Sequence, residues 1–542
     1  METQVLIAGA GPTGLVLAIE LARRGVPCQV VDAAAGICPG SRGKGLQPRT
    51  LEVFDDLGVL DAVRASGGDY PAVRAYAGRE VVWEGRMSDV TAATPDVPYP
   101  NIWMIPQWRT EEILRARLAG LGVQVRQGAE LTGCDAGPEG VTATLATASG
   151  EERVRAAYLV GADGGRSAVR ALMGIGFAGE TREAERMLFG DLRIDGLDHD
   201  YWHTWSPSPD RSDMLALCPL PGTDAFQLAA ADPGDPFTPG HALLQELLTA
   251  RTGRDDIRLR EIVWLSRWRA NMRMAERFRA GRVLLAGDAA HVHSPAGGQG
   301  LNTSVQDAYN LGWKLAAVIA GADPWLLGTY ESERLPVAAH VLGISTDLHG
   351  QASTTGIGPA KRGPETQQLD IGYAGGPLAP IHPHPPTQPA TDPTAATDPA
   401  TTTGAATATP EPAADAPRPG DRAPDAPGLR RADGSAARLF DLFRGPHHTL
   451  LAFGPTAAQA AADLARPYGD AVHPHLILTP GTPAPPPQIP TATDTDGHAA
   501  KTYNIDTDTL ILIRPDGYIG AITHPDTAPD LATYLHRVAA PC

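Results

Sequence analysis

The sequence predicts an α/β chain of several domains, and three observations predict it. A short apolar run enters a glycine turn and then a helix near the start of the chain. The same passage from strand to glycine turn returns twice further along. A stretch of Pro, Thr and Ala then separates this first part from a final segment in which strand and helix patterns resume. At 542 residues there is room for three or more domains and a sizeable core.

Val5 to Ala8 is the first apolar run, Gly14 to Arg24 carries helical apolar spacing, and Cys28 to Asp32 is a second strand, which together make a βαβ opening. "RTEEILRARLAGL", Arg109 to Leu121, is expected as an amphipathic helix opened by Thr110. "RAAYLVGADGG", Arg155 to Gly165, and "RVLLAGDAA", from Arg282, read as strands running into glycine turns, and Asn302 to Gly321 reads as a long helix. Segments 71–101 and 187–271 hold many aromatic residues and several β-like runs. They are expected as a sheet-rich unit inserted into a domain made of 1–70, 102–186 and 272–376. Segment 377–419 has no Phe, Trp or Tyr and cannot bury a core, so a disordered or extended linker is expected there. Segment 420–542 is expected as a small α/β domain.

A net charge of −17 repels polyphosphate, so nucleic acid is not an expected partner. The five cysteines, Cys28, Cys38, Cys134, Cys218 and Cys542, form no CxxC pair. That suits neither a disulfide framework nor a zinc site, and it fits a reducing cytoplasm. The N-terminus lacks a basic leader region, and no apolar run approaches the ~20 residues a membrane span needs. A cytoplasmic protein with no membrane partner is expected.

The chemistry begins at Gly9-x-Gly11-x-x-Gly14, with Thr13 inside it. The pattern follows a strand and opens a helix. Asp32 ends the next strand 18 residues after Gly14, close to the ~20 expected of an acid on a ribose hydroxyl. Such glycines let the backbone approach a pyrophosphate at a helix N-terminus. The acid favours a free ribose, hence FAD or NAD over NADP. The second motif is "GADGGRSAVR", Gly161 to Arg170. The third is "GDAAHVHSPAGGQGLN", Gly287 to Asn302. A nicotinamide dehydrogenase needs one fingerprint. Three argue for one extended cofactor held at several points.

This trio resembles the class A flavoprotein monooxygenases, the aromatic hydroxylases of the para-hydroxybenzoate hydroxylase type. Within them it is most similar to actinobacterial aromatic polyketide hydroxylases and rifampicin monooxygenases. The resemblance covers about 1–375 and, on "PGDRAPD" (Pro419 to Asp425) and "LIRPDGYIG" (Leu512 to Gly520), about 420–542. It implies a Rossmann-like FAD-binding domain of the glutathione-reductase type, an inserted β-sheet-rich substrate domain, and a C-terminal thioredoxin-like domain without redox cysteines. It also implies site residues. Asp288 contacts the FAD ribityl chain, and Pro295, Gly297, Gly298, Gly300, Leu301 and Asn302 wrap the isoalloxazine through backbone groups. Arg42 lies near the flavin ring; its plain alternative is a solvated surface cation, and Arg49 is close enough in sequence to be confused with it. Gln107 contacts FAD, Leu131 offers a backbone contact at the adenosine end, and Asp163 serves FAD and NAD(P)H, with Arg166 as a pyridine-nucleotide contact.

The implied reaction is reduction of FAD by NADPH or NADH, formation of a flavin C4a-hydroperoxide with O2, and transfer of one oxygen to a polycyclic aromatic, polyketide-type substrate. Two alternatives stay open: Baeyer–Villiger oxygenation by the same cofactor, and a non-catalytic flavin-bound protein that sequesters aromatic drugs. No general base is assigned. His291 and His293 have no third ligand at metal spacing, so no metal is expected. Trp202, Trp205, Trp264 and Trp268 could line an aromatic pocket or pack a sheet, and none is assigned. Monomer and homodimer both remain open.

Overall fold

The computed structural model describes residues 2–206, 208, 212–234, 240–294, 296–354, 361–379, 416–482 and 489–542. Five parallel strands form the heart of the first domain. Their order is Val283–Leu285, Gly150–Gly161, Glu2–Ala8, Cys28–Asp32, Val125–Gln127. Glu2–Ala8 lies in the middle, and its Val5, Leu6, Ile7 and Ala8 are buried, as a parallel strand covered on both faces requires. Register then places the motifs. Ala8 pairs with Gly161, and Gly161 pairs with Leu285. Three neighbouring strands therefore end side by side, and each runs directly into one of the three glycine turns. The C-terminal edge of a parallel sheet is where such folds bind ligands.

The helix after the first turn is Pro12–Ala22, two residues earlier than its apolar spacing indicated, because Pro12 fills the first position, which needs no N–H. The helix predicted from Arg109 runs over Gln107–Gly120, with Pro106 before it. Thr110 is therefore an interior residue and not the cap, and its buried hydroxyl points back to the Pro106 carbonyl. The long helix is Gly300–Ile319, and it packs along Pro12–Ala22.

The second sheet has eight strands. It carries Ala72–Ala77 and Glu80–Gly85 at one side and the long strands Phe177–Asp195 and Arg258–Ala275 towards the other. Those two strands outrun the expected limits 187 and 271, because they leave the first domain as a continuous ribbon. One face packs on helix His241–Thr252 through Leu192, Phe226, Leu228, Leu244 and Leu248. Trp205 belongs to that core, and its indole N–H donates to the Gly78 carbonyl at 3.0 Å. Among the four tryptophans considered, it is a packing residue.

The last domain is a seven-stranded mixed sheet with Val472–Leu478 at its centre and His448–Phe453 beside it, and helices Pro455–Ala465 and Ala528–Val538 lie on one face. It is joined to the first domain through buried charge. Arg514 donates to Glu333 Oε1 at 2.7 Å and to Asp516 Oδ2 at 2.6 Å, and Lys314 donates to Glu333 Oε2 at 2.6 Å. Most of the expected linker, 380–415, lies outside the described residues. Its first residues belong to the fold, since Leu378 and Ala379 are buried and Leu378 packs against Trp313, Leu326 and Val538.

Candidate active site

The three turns are fitted to one another by the absence of side chains. Gly9 has φ +103°, and a Cβ there would overlap the Ala162 carbonyl of the second turn. A Cβ on Gly14 would overlap the Gly9 carbonyl. Gly287 has φ +63°, and a Cβ there would lie 2.5 Å from Thr13 Oγ1 and 3.0 Å from Ser304 Oγ. Thr13 thus links the first motif to the third. Gly11 differs from all of these. Its φ is −73°, which any residue adopts, and no protein atom lies within 4 Å of a Cβ built on it. Neither conformation nor packing demands glycine there.

Asp32 ends its strand beside this turn. Its Oδ2 accepts Ala10 N–H at 2.7 Å and its Oδ1 accepts Ala34 N–H at 2.8 Å. An ionised carboxylate has about four acceptor sites, so capacity remains for a hydroxyl. Ala129 N–H donates to the Asp32 carbonyl at 2.9 Å, which brings the turn before Leu131 to the same corner. Leu131 itself is a buried strand residue paired with Leu145.

Gly43 brings three expected residues together. Its N–H donates to Gln107 Oε1 at 2.9 Å, and a Cβ on it would come within 3.0 Å of Leu301. Gln107 is oriented from its other end, where Nε2 donates to Glu111 Oε1 at 2.9 Å. Arg42 is exposed next to this knot. Arg49 is not its rival. It is buried, paired with Glu52 at 2.7 Å, and donates to the Asp516 carbonyl of the last domain at 2.7 Å. Asp288 is accessible to solvent, yet protein surrounds its carboxyl closely. Burial raises its pKa, while His291 and Arg42 pull it down. Asp288 therefore lies within electrostatic reach of both His291 and Arg42.

The glycine loop is held from behind. Gly297 and Gly298 have φ +76° and +65°. The Gly297 carbonyl accepts Gln47 Nε2 at 3.1 Å and Gln299 Nε2 at 3.0 Å, and the Gly298 carbonyl accepts Asn302 Nδ2 at 2.8 Å. Both carbonyls are thereby drawn towards protein. Gly300 opens the long helix, whose first N–H groups have no intrahelical partner. Asn302 is buried and serves as a brace, since its Oδ1 accepts Gln47 N–H at 2.8 Å. Pro295 lies outside the described residues.

In the second turn, Asp163 Oδ2 accepts Val169 N–H at 3.1 Å, while its Oδ1 is buried with no partner among the described residues. Arg166 is exposed beside it. The two histidines are tied to a network that sequence reading did not reveal. His291 Nε2 meets Asp307 Oδ2 at 2.6 Å, and His293 Nε2 meets His291 Nδ1 at 3.2 Å. Asp307 also accepts Arg334 Nε at 2.7 Å and Gly287 N–H at 3.1 Å. Burial works against the Asp307 charge, but His291 and Arg334 outweigh it and hold its pKa below the usual range. Burial takes His293 down to about 3, so it is neutral. One signal was available. In the buried part of this helix, Asp307, Asn310 and Lys314 recur at helical spacing, and that stripe faces Glu333 and Arg334.

The chain matches the family model described as "FAD binding domain" over residues 2–345, and that described as "Aromatic-ring hydroxylase, C-terminal" over 416–541. The chain belongs to the FAD-dependent aromatic-ring hydroxylases. The hydroxylase is 45% identical over 540 residues to a flavin-dependent monooxygenase of Mycobacteroides abscessus, covering 98% of this chain and 99% of that one. It is 34% identical over 553 residues to the 12-dehydrotetracycline 5-monooxygenase/anhydrotetracycline 6-monooxygenase of Streptomyces rimosus, covering 98% and 97%. Among solved structures it resembles aklavinone-11 hydroxylase in ternary complex with FAD and aklavinone, with TM-score 0.79, 30% identity and coverage of 99% and 98%. It is a flavin-dependent monooxygenase with FAD as its cofactor. Among the described residues, no helix is long and apolar enough to cross a membrane.

Two features of this chain fit FAD. The open space at Gly11, beside a helix N-terminus, suits a pyrophosphate. The buried, unpartnered Asp163 oxygen suits a ligand donor.

Proposed function

We propose that the hydroxylase uses NADPH or NADH and O2 to place one oxygen atom on a polycyclic aromatic, polyketide-type substrate. The observation that carries this reading is the convergence of three glycine turns at the ends of three adjacent parallel strands, with Gly11 left open. The substrate class rests on relatives and neighbours named for tetracycline-type compounds, for rifampicin and for aklavinone.

Gly9, Gly11, Thr13 and Gly14 would seat the pyrophosphate at the N-terminus of Pro12–Ala22. Asp32 would take a ribose hydroxyl, with the Leu131 backbone at the adenosine end. Asp288 and Gln107 would hold the middle of the cofactor, and Asp163 would add a contact shared with NAD(P)H. Gly297, Gly298, Gly300, Leu301 and Asn302 would form the bed of the flavin ring, with Pro295 before them. The helix N-terminus there favours negative charge on the ring's pyrimidine edge, and Arg42 would face it. When bound, FAD supplies the redox chemistry, taking two electrons from NAD(P)H and activating dioxygen at its C4a carbon. The chain's part is to orient the substrate and exclude water while that chemistry runs. The proposed location is the cytoplasm, where NAD(P)H is available and the five free cysteines stay reduced.

The test is purified yellow protein with NADPH, O2 and anhydrotetracycline, aklavinone or rifampicin, following NADPH absorbance and product mass. Accelerated oxidation with one added oxygen is expected. A ring-expanded ester or lactone would mark Baeyer–Villiger insertion, and tight binding without oxidation would mark a sequestering protein. A chain that takes up no FAD would overturn the reading.

A further inference from the structure

One rung of the second sheet is unlike the rest. Across four neighbouring strands it runs Trp264, Asp191, Gln227, Cys218. Trp202 stands on the next strand, opposite Val73. Gln227 alternates with the core residues Phe226 and Leu228, so this rung faces away from helix His241–Thr252. It faces the segment from Gly40 to Lys44, whose next residue, Gly45, is tied to the glycine loop by Asn302. A Cβ on Gly40 would overlap the Trp264 ring. Ser41 N–H donates to Asp191 Oδ2 at 2.9 Å, and Gln227 Nε2 donates to the Ser41 carbonyl.

Lys44 reaches into this layer. Its amine donates to Gln227 Oε1 and lies 4.1 Å from the centre of the Trp202 ring. The Trp202 indole Nε1 beside it is buried without a partner among the described residues, and on the same layer the Ser41 side chain and backbone both hydrogen-bond to the Asp191 carboxyl. Buried polar groups are nearly always satisfied, so an orphaned indole N–H beside the Lys44 amine marks where a polar ligand belongs. Lys44 and Trp202 keep some accessible surface, which leaves a way in.

We propose that Lys44 ionises the substrate. Its amine takes the proton of an acidic ring hydroxyl, a phenol or enol, and holds the resulting oxyanion as an ion pair against Trp202. The O–H bond breaks, an N–H bond forms, and the electron pair stays on oxygen, where it makes the ring carbons more nucleophilic. The Trp202 indole N–H donates to a neighbouring polar group of the same ring. The charged environment agrees. Burial lowers the Lys44 pKa, Cys218 and Asp191 hold it up, and Arg362 adds to the fall. Burial also raises Asp191 to about 6, against the hydrogen bonds from Ser41. Burial thus makes the Lys44 amine easier to deprotonate than a solvated lysine. The inference rests on the substrate being a hydroxylated aromatic.

The experiment titrates the oxidised, FAD-loaded enzyme with anhydrotetracycline and with alizarin across pH, without NADPH, and records difference spectra. Turnover is measured separately on the same samples. The wild type is expected to show the anion spectrum of the probe at pH values where the free probe is neutral. Lys44→Met is expected to lose that spectrum, lose at least about 100-fold in probe-dependent turnover, and shift the acid limb of its pH profile upward. Lys44→Arg keeps the cation but cannot take up the proton, so it is expected to recover the spectrum in part and the turnover not at all, whereas a purely structural role would be rescued in both. FAD content and thermal melting show that each variant is folded, and Lys44→Gln replaces Lys44→Met if that variant is not. An unchanged anion spectrum and pH profile in Lys44→Met, or no anion spectrum from any probe the wild type oxygenates, overturns the inference. If no probe stimulates NADPH oxidation, the functional reading fails instead, whatever the spectra show.

Discussion

Asn302 and Gln47 are joined across 255 residues of chain by one hydrogen bond, Gln47 N–H to Asn302 Oδ1 at 2.8 Å. The same asparagine donates to the carbonyls of Gly298 and Gly45. It therefore fixes the glycine loop against the segment carrying Arg42. Asn302→Ala leaves buried groups unpaired, each costing about 1–3 kcal/mol. The variant is expected to purify with reduced FAD content and a lower melting temperature, read from the flavin-to-protein absorbance ratio and a thermal scan. Full FAD content at wild-type stability would refute the role given to Asn302.

Gly9 and Gly11 are two residues apart and should fail in different ways. Gly9→Ala places a Cβ in the Ala162 carbonyl at φ +103°, so the sheet edge cannot close, and loss of folded protein is expected. Gly11→Ala meets no protein atom and should melt as the wild type does in the FAD-free state. Its methyl group enters the pyrophosphate space instead and should weaken FAD binding by about 1–3 kcal/mol, roughly 5- to 150-fold. Wild-type FAD affinity in Gly11→Ala would place the pyrophosphate elsewhere.

The contrast between these two glycines shows what the sequence could carry. The strand, turn and helix around GxGxxG are local signals, and so were "GADGG" and the loop after Asp288. Their convergence depends on Ala8, Gly161 and Leu285 sharing a register, which follows from strand order and not from spacing. The first-domain helix predicted to open at Thr110 began earlier, because proline before a helix marks its start as well as a hydroxyl does. The rung of Trp264, Asp191, Gln227 and Cys218 was illegible for the same reason as the convergence: four residues on four strands become neighbours only through pairing. Arg49 and Arg42 look alike in sequence, and burial, the pair with Glu52 and the docking of the last domain separate them.

Glu333 makes the junction between domains testable. Burial opposes its charge, but Arg514 and then Lys314 outweigh that and hold its pKa at about 2. Lys314 is meanwhile pushed by burial down to about 8, despite Glu333 beside it. The two shifts differ in which force wins, and they agree once Arg514 is taken as the main counter-charge. Arg514→Met removes it, leaving Glu333 with Lys314 alone and Asp516 without its counter-charge. A loss of about 3–5 kcal/mol is expected in urea unfolding, with the first and last domains unfolding at separate midpoints. A single transition at the wild-type midpoint would show that this cluster does not couple the domains.

Asp307 should give the fold an acid limit of its own. Its folded pKa lies below the ordinary value because His291 and Arg334 overcome burial. Below about pH 4 the unfolded chain then binds a proton that the folded chain refuses. The stabilisation is complete above the unfolded value and is lost as pH falls towards the depressed folded value. Asp307→Asn cannot hold this charge, though its amide oxygen can still accept Gly287 N–H. The variant should melt well below the wild type at pH 7, and the gap should narrow as the buffer is taken down from about pH 5 to about pH 3. Because Asp307 holds Gly287 and, through His291, the start of the glycine loop, flavin should leave the variant at a pH where the wild type retains it. A melting gap that stays constant across that range would mean the Asp307 carboxylate is not the titrating group.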